Sequence, residues 1–174
     1  MLDTLITSKT RIKLLLKFFL NPNTSSYLRS LEGEFGESSN SIRLELNRLE
    51  KAEMLQTNVE GNKKFFSVNK LHPLFEDVNR IVRKYVGIDV IISNILKGLG
   101  NLKRVYLTGD LAKGKDSKVI DLVLIGDIDR AYLIEMIEKT EALISRKIRY
   151  VIYTEEEFET MDFDNKDYLL IWTA

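Results

Sequence analysis

The sequence contains no cysteine and only one histidine, His72, which narrows the chemistry that the chain can support. Without cysteine it can form neither a disulfide nor a cysteine-based zinc site, and one histidine excludes a histidine-rich metal centre. We therefore expect no metal centre of these kinds and a fold that depends on its hydrophobic core. The hydrophobic content of 44% is ordinary for a chain that builds such a core.

Long apolar runs are also missing. The most apolar stretch near the N-terminus covers residues 12–20, but Lys13 and Lys17 interrupt it at helical spacing. This pattern predicts a core helix rather than a signal peptide or a membrane span. We therefore expect a cytoplasmic protein that has no membrane partner.

The formal net charge is zero, but the two parts of the chain differ. Residues 1–70 contain 11 lysines and arginines against 8 acidic residues, whereas residues 71–174 contain 15 against 18. The modest basic excess of the N-terminal part is the asymmetry that a nucleic-acid-binding surface in that part would need.

The segment 38–51 predicts one helix with two different faces. Three aliphatic residues recur at the spacing of a buried stripe: Ile42, Leu46 and Leu49. The opposite face carries side chains that can reach base edges and phosphates: Asn40, Arg43, Asn47 and Lys51. Ser38 is suited to cap the helix, and Gly36 suits the turn before it. The segment is therefore a candidate recognition helix.

The elements around this segment follow a definite order. Helices are predicted at residues 8–19 and 26–35, and strands at 54–59 and 64–68, joined by a glycine-bearing loop at 60–63. This order, in which two helices, a turn and a third helix are followed by a hairpin, is that of a winged helix-turn-helix. In such a motif one helix enters the major groove, and we expect the hairpin, or wing, to reach the flanking backbone.

The candidate DNA contacts come from the helix and the wing. The helix offers Asn40, Ser41, Arg43, Asn47, Arg48 and Lys51, and the wing offers Asn62, Lys63 and Lys64. Arginine suits guanine and asparagine suits adenine, whereas lysine at a wing tip suits phosphate. Acids that we expect to be exposed would weaken the positive field: Glu37, Glu45, Glu50 and Glu53. The alternative is that this surface contacts a protein.

Residues 8–87 resemble the ArsR-type winged-helix regulators of bacteria and archaea. The resemblance is carried by the segments 8–15, 27–31, 39–51, 60–70 and 71–75. It implies a transcriptional regulator that binds double-stranded DNA. Metal sensing, a property of some members, is not carried over, because a lone His72 without cysteine cannot build their sensor site.

A helical connector is predicted between the two parts of the chain. Apolar residues recur along 74–86, after His72-Pro73, and a second apolar helix covers 88–96. The first stripe is either core between the two halves or the seam of a homodimer. We favour the homodimer, because winged-helix regulators read two half-sites with two-fold symmetry.

Residues 101–174 alternate between predicted strands and helices. Strands are predicted at 104–107, 119–125, 148–153 and 168–172, and helices at 130–143 and 155–161, which is typical of an α/β domain. The region resembles the minimal nucleotidyltransferase domain, in which a Gly-Ser pair holds nucleotide phosphates and an Asp-x-Asp pair chelates Mg²⁺. Here Asp110 stands where the serine is expected, and Val119 replaces the first aspartate, which leaves Asp121 without its partner.

The resemblance therefore implies a vestigial nucleotide site formed by Gly109, Asp110, Lys113 and Asp121. A third carboxylate is expected about where Arg149 lies, and a single carboxylate is a poor Mg²⁺ site. Asp110 or Asp116 is an alternative ligand, which keeps Mg²⁺ and nucleotide as a second possibility. The preferred hypothesis has no catalytic residue, no metal and no cofactor.

The sequence thus predicts an α+β protein with a winged helix-turn-helix at residues 1–70, a helical connector at 71–100 and a nucleotidyltransferase-like domain at 101–174. The predicted function is that of a DNA-binding transcriptional regulator. Its C-terminal domain would serve dimerisation, docking of a protein partner or ligand sensing. The alternatives are an active nucleotidyltransferase and an antitoxin-like protein that pairs with a small helical partner.

Overall fold

The computed structural model describes residues 2–161 and 168–174, without the side chain of Lys97, and they form two compact units. Of the described residues, the first unit comprises those up to Tyr85 together with Gly114–Asp116, and the second comprises the rest. The segment 71–85 of the predicted connector therefore lies within the first unit.

The first unit combines helices with a small antiparallel sheet. Its elements are α1 (Leu2–Leu5), α2 (Lys9–Leu15) continued by a π-helical turn (Leu16–Leu20), β1 (Ser25–Tyr27), α3 (Leu28–Phe35), α4 (Ser39–Lys51), β2 (Leu55–Glu60), β3 (Lys63–Val68) and α5 (Phe75–Val86). The three strands lie in the order β1-β3-β2, with β3 in the middle. Helix α4 is followed directly by the β2–β3 hairpin.

Helix α4 has the bounds that its sequence predicts. Ser38 accepts a hydrogen bond from the backbone N–H of Ser41, which caps the first turn. Before it, α3 ends at Gly36, which adopts φ +63°, a conformation that costs glycine little. The aliphatic stripe of α4 is buried, and so are the large side chains of α2 and its π-helical extension. The core of this unit therefore lies between α2, α4 and the sheet.

The helix predicted at 26–35 begins later than expected. Ser26 and Tyr27 belong to strand β1, where they pair with Phe66 and Phe65 of β3. The Tyr27 and Phe65 rings meet edge to face, with their centroids 5.2 Å apart. These partners lie about forty residues further along the chain, and the cross-strand contact outweighs the local helical pattern.

The second unit is built around a four-stranded sheet. Its elements are α6 (Ile88–Asn94), a 3₁₀ turn (Leu96–Gly98), β4 (Gly100–Thr108), α7 (Gly109–Ala112), β5 (Val119–Ile128), α8 (Arg130–Ile144), β6 (Lys147–Tyr153), α9 (Glu155–Glu159) and β7 (Leu169–Thr173). The strand order is β6-β5-β4-β7, and α8 connects the parallel pair β5 and β6. The chain is thus a mixed α+β protein. No helix of the described ranges is both long and apolar enough to cross a membrane.

Strand β5 is the central element of this sheet. It is largely buried on both faces between Ile120 and Gly126, as expected for a strand covered on each side. Gly126 has φ +143°, and a Cβ placed there would collide with the carbonyl oxygen of Asn101 on β4. The close approach of β4 and β5 at this point therefore requires glycine.

We expect Gly126→Ala to destabilise the protein by about 3 kcal/mol or more, because it combines backbone strain with a clash against β4. Gly33→Ala is the matched control, since Gly33 lies inside α3 and a Cβ added there would meet no other atom within 4 Å. That substitution should stabilise by about 0.5–1 kcal/mol through helix propensity. Urea unfolding of the two variants measures both effects. A Gly126→Ala variant as stable as the wild type would contradict the described strand geometry.

Candidate functional site

A groove of about 520 Å³ opens on the first unit between α3, α4 and the β2–β3 hairpin. Leu46 and Phe66, both buried, contribute apolar side chains to its walls. One acidic side chain, that of Glu32, lines it together with several cationic and amide side chains: Arg29, Arg43, Asn47, Asn62, Lys63 and Lys64. The groove therefore joins hydrogen-bond donors from two helices and a hairpin around one concave surface.

The structure brings part of the predicted contact set to this groove. Arg43 and Asn47 of α4 and Asn62, Lys63 and Lys64 of the hairpin line it. The other predicted contacts are exposed on α4 and do not belong to the lining: Asn40, Ser41, Arg48 and Lys51. They continue the solvent-facing surface of the same helix beyond the groove.

Three polar lining residues were missed by the sequence analysis: Tyr27, Arg29 and Glu32. Arg29 lies in the first turn of α3, and Tyr27, which we expected to begin a helix, lies at the end of β1. The ammonium group of Lys63 lies 4.6 Å from the centroid of the Tyr27 ring, within the range of a cation–π contact. No local pattern signals these roles, because they follow from how α3 and β1 pack beside α4.

Two of the predicted cations have acidic partners. The Lys64 ammonium lies 2.7 Å from a carboxylate oxygen of Glu50, and the Arg48 guanidinium lies 2.9 Å from one of Glu45. Glu50 thus offsets positive charge on this surface, and Lys64 links the hairpin to α4. Arg43 and Lys63, for which the described residues show no ion pair, line the groove together with Glu32, whose carboxylate brings a negative charge to the same surface.

The expectation that Glu45 is exposed is wrong. Its residue surface is only 4% exposed, and its carboxylate accepts hydrogen bonds from Arg11 Nε at 2.8 Å and Nη2 at 3.3 Å. Arg48 donates a third at 2.9 Å. The carboxylate therefore faces α2 rather than solvent, and its charge is satisfied by the two guanidinium groups.

A second acid ties the start of α4 to the same helix. Glu37, just before the N-cap, lies 2.5 Å from the Lys13 ammonium and accepts a hydrogen bond from the Thr10 hydroxyl. Burial raises the pKa of the Glu37 carboxyl, but the hydrogen bonds from Lys13 and Thr10 outweigh it and leave the pKa below its ordinary value. Helix α2 thus holds α4 at its beginning and near its middle.

The predicted nucleotide site in the second unit contains an ion pair that the sequence analysis did not foresee. Arg149 on β6 lies directly across from Asp121 on β5, and its Nε and Nη2 donate to the two carboxylate oxygens at 2.6 and 3.0 Å. These hydrogen bonds raise the pKa of the Arg149 guanidinium above its ordinary value. The Arg149 guanidinium therefore binds both oxygens of the Asp121 carboxylate, which the sequence analysis identified as the remaining metal ligand of this site.

Within the described part of the chain, the rest of the predicted nucleotide site places no second metal ligand beside Asp121. Gly109 has φ +69°, and a Cβ there would lie 2.5 Å from an Asp121 oxygen, so glycine permits the close approach of α7 to β5. Asp110 and Lys113 are exposed, while Asp116 lies in the first unit and accepts a hydrogen bond from Tyr85. Among residues 2–161 and 168–174, no three histidine or acidic residues are grouped so that they could hold a metal ion.

No protein-family model matches the sequence, and no curated protein is significantly similar to it. Among solved structures, AF1382 from Archaeoglobus fulgidus shares 14% identity, covers 54% of this chain and 99% of its own, and has a TM-score of 0.39. A putative nucleotidyltransferase from Sulfolobus solfataricus shares 19% identity, covers 53% of this chain and 82% of its own, and has a TM-score of 0.37. Likeness at this level does not establish a family.

The Glu45 carboxyl should make stability depend on pH. Burial raises its pKa, but the hydrogen bonds of Arg11 and Ser8 and the charges of Arg11 and Arg48 outweigh burial and leave the pKa below its ordinary value of 4.5. As the pH falls, the unfolded chain therefore takes up the proton first. The contribution of Glu45 to the free energy of unfolding is therefore fully present above the ordinary pKa of the carboxyl. It is lost as the pH falls through the lower pKa of the folded chain.

We expect Glu45→Gln to lower the free energy of unfolding by about 1–2 kcal/mol at pH 7 and to flatten its decline between about pH 5 and pH 3. Urea titrations across that range measure both effects. The matched control is Glu138→Gln on the exposed face of α8, which should leave the pH profile unchanged. Equal pH profiles for wild type and Glu45→Gln would contradict the ion pairs that Arg11 and Arg48 make with the buried Glu45 carboxylate.

Proposed function

We propose that the protein is a sequence-specific DNA-binding transcriptional regulator and that its first unit acts as a winged helix. The observation that supports this best is the groove at which α3, α4 and the hairpin meet. There Arg43 and Asn47 of α4 lie beside Lys63 of the hairpin and Arg29 of α3. Base-reading and phosphate-binding side chains therefore share one surface, as the recognition of duplex DNA requires.

Helix α4 has the size and surface to read bases. Its 13 residues make it roughly 20 Å long, and the major groove admits a helix of ordinary diameter. Asn40, Arg43 and Asn47 recur at three- and four-residue spacing, so they lie along one side of the helix. In this proposal Arg43 pairs with guanine, and the two asparagines are candidates for adenine.

The hairpin and α3 would bind the sugar-phosphate backbone on either side. Lys63, at the start of β3, and Arg29, in the first turn of α3, carry charge at the edge of the groove without carrying sequence information. Lys64 and Arg48 would contribute less, because Glu50 and Glu45 offset their charge. The backbone contact is therefore assigned mainly to Lys63 and Arg29.

The second unit would have a role other than catalysis. Phosphoryl transfer depends on divalent ions that carboxylates hold in place, and the Asp121 carboxylate is engaged by Arg149. Dimerisation, docking of a protein partner or sensing of a ligand are the roles proposed for it. The regulator hypothesis itself depends only on the first unit.

Fluorescence anisotropy tests the proposal. The probe is a labelled duplex from the region upstream of the protein's own gene, compared with a scrambled duplex of the same composition across a salt series. We expect tighter binding to the native duplex and an affinity that falls steeply with salt, since phosphate contacts release counterions. A selection from random duplexes extends the test to other sites. Failure of both to yield any bound sequence would overturn the proposal.

Two substitutions separate base contacts from backbone contacts. Arg43→Ala should weaken binding to the preferred duplex by about 1–3 kcal/mol and reduce its advantage over the scrambled one. Lys63→Ala should weaken both duplexes alike and reduce the slope of log affinity against log salt by about one. Arg130→Ala, at the exposed start of α8, is the control and should change neither quantity. Wild-type binding by Arg43→Ala would show that α4 is not the recognition helix.

A further inference from the structure

The inner part of the groove between α3, α4 and the hairpin differs in chemistry from its rim. Four side chains give the inner part an apolar surface: Tyr27, Leu28, Leu46 and Phe66. Leu46 and Phe66 are buried, whereas Tyr27 and Leu28 are half-buried. The cationic and amide side chains of the groove are all exposed, so they form its rim. An apolar recess therefore opens between exposed hydrogen-bond donors.

This recess is more apolar than the binding of a duplex requires. The base edges and the backbone of DNA present hydrogen-bonding groups and phosphates, and the thymine methyl is the apolar group that the major groove exposes. The groove has a volume of about 520 Å³, which lies within the range of roughly 300–1,000 Å³ that is usual for small-molecule sites. Its size and its apolar walls therefore suit a small ligand with an apolar body.

Two lysines lie where the recess meets the rim. The Lys63 ammonium lies 4.6 Å from the centroid of the Tyr27 ring, and the Lys64 ammonium lies 5.1 Å from that of the Phe66 ring. An anion that pairs with such an ammonium brings the rest of its own molecule close to the apolar walls. Because Lys64 is already paired with Glu50, the anion is assigned to Lys63 and to Arg43 on the opposite wall.

The charges of the lining decide how many negative charges the ligand can carry. Four cations line the groove, and the one that is paired, Lys64, leaves Arg29, Arg43 and Lys63 against a single acid, Glu32. This balance favours an anion over a cation. The half-buried Glu32 carboxylate repels each negative charge that enters, so it disfavours a ligand with several of them. Since arginine binds a carboxylate through two parallel hydrogen bonds, a monocarboxylate fits this lining.

We propose that the groove binds a small organic monocarboxylate with an aryl or alkyl body and that this ligand and duplex DNA exclude each other. The carboxylate pairs with Lys63 and Arg43 at the rim, and the body occupies the recess. Lys63 and Arg43 are also the side chains assigned to the backbone and to guanine, and they cannot serve both partners at once. The exclusion rests on the proposed function, whereas the carboxylate site does not.

Titration of the full chain with 3-phenylpropionate, followed by amide NMR spectra, tests the site. We expect a dissociation constant of about 1 mM, because each atom of such a ligand gains only a modest free energy. The shifted signals should belong to α3, α4 and the hairpin. 3-Phenylpropanamide has nearly the same shape but no charge, so it should bind about fivefold more weakly or worse.

Two substitutions test the charges of the lining. Lys63→Ala should weaken the binding of 3-phenylpropionate about three- to fivefold, because it removes a cation from the rim. Lys70→Ala is the matched control, since it removes the same charge from an exposed position of the same unit that does not line this groove. Glu32→Gln should strengthen binding about two- to threefold, because it removes the repulsion. The amide spectra also show that each variant is folded.

Anisotropy with the labelled duplex tests the exclusion. At about ten times its own dissociation constant, 3-phenylpropionate should raise the apparent dissociation constant of the duplex about tenfold, as a competitor for one site does. Sodium chloride added at the same concentration should leave it nearly unchanged, so the ionic strength is controlled.

Equal affinity for the acid and the amide would overturn the carboxylate site. So would binding that neither Lys63→Ala nor Glu32→Gln changes, or spectra that 3-phenylpropionate does not shift. Simultaneous binding of the acid and the duplex would overturn the exclusion. A chain that binds the acid at this groove but binds no duplex would count against the proposed function and not against the carboxylate site.

Discussion

The buried carboxylate of Glu45 is the constraint on which the arrangement of the first unit depends. It joins α4 to α2 through Arg11 and holds Arg48 on the outer surface of α4. A buried charge is tolerated only when hydrogen bonds satisfy it, and these two guanidinium groups do so. Together with the buried stripe of Ile42, Leu46 and Leu49, this contact sets the rotation of α4 about its own axis and therefore which side chains face solvent.

The distribution of acids explains how a chain with no net charge still offers a cationic groove. Glu37 and Glu45 face α2, where they are used in holding helices together. Glu50 holds the hairpin through Lys64. Beside the groove, Arg43, Lys63 and Arg29 outnumber the acid of its lining, Glu32, so the local field differs from what the overall charge suggests.

The elements that could be predicted from the sequence are those specified by neighbouring residues. The bounds of α4 follow from the Ser38 cap and its aliphatic stripe, and the hairpin follows from two short strands around a glycine-bearing loop. Strand β1 and the burial of Glu45 could not be predicted, because their partners Phe66 and Arg11 lie tens of residues away. The groove likewise could not be predicted, because its lining comes from segments that are far apart in the sequence. The Asp121–Arg149 pair depends on the pairing of β5 with β6, which are separated in the sequence by α8.

The contact between Lys63 and Tyr27 has a consequence for the binding of any partner to the hairpin. Lysine ordinarily samples many rotamers, and ordering such a side chain at an interface costs roughly 0.5–1.5 kcal/mol. The Tyr27 ring, itself steadied by Phe65, already limits that freedom in the free protein. The hairpin is therefore partly pre-organised, and any partner that binds Lys63 has less of this ordering cost left to meet.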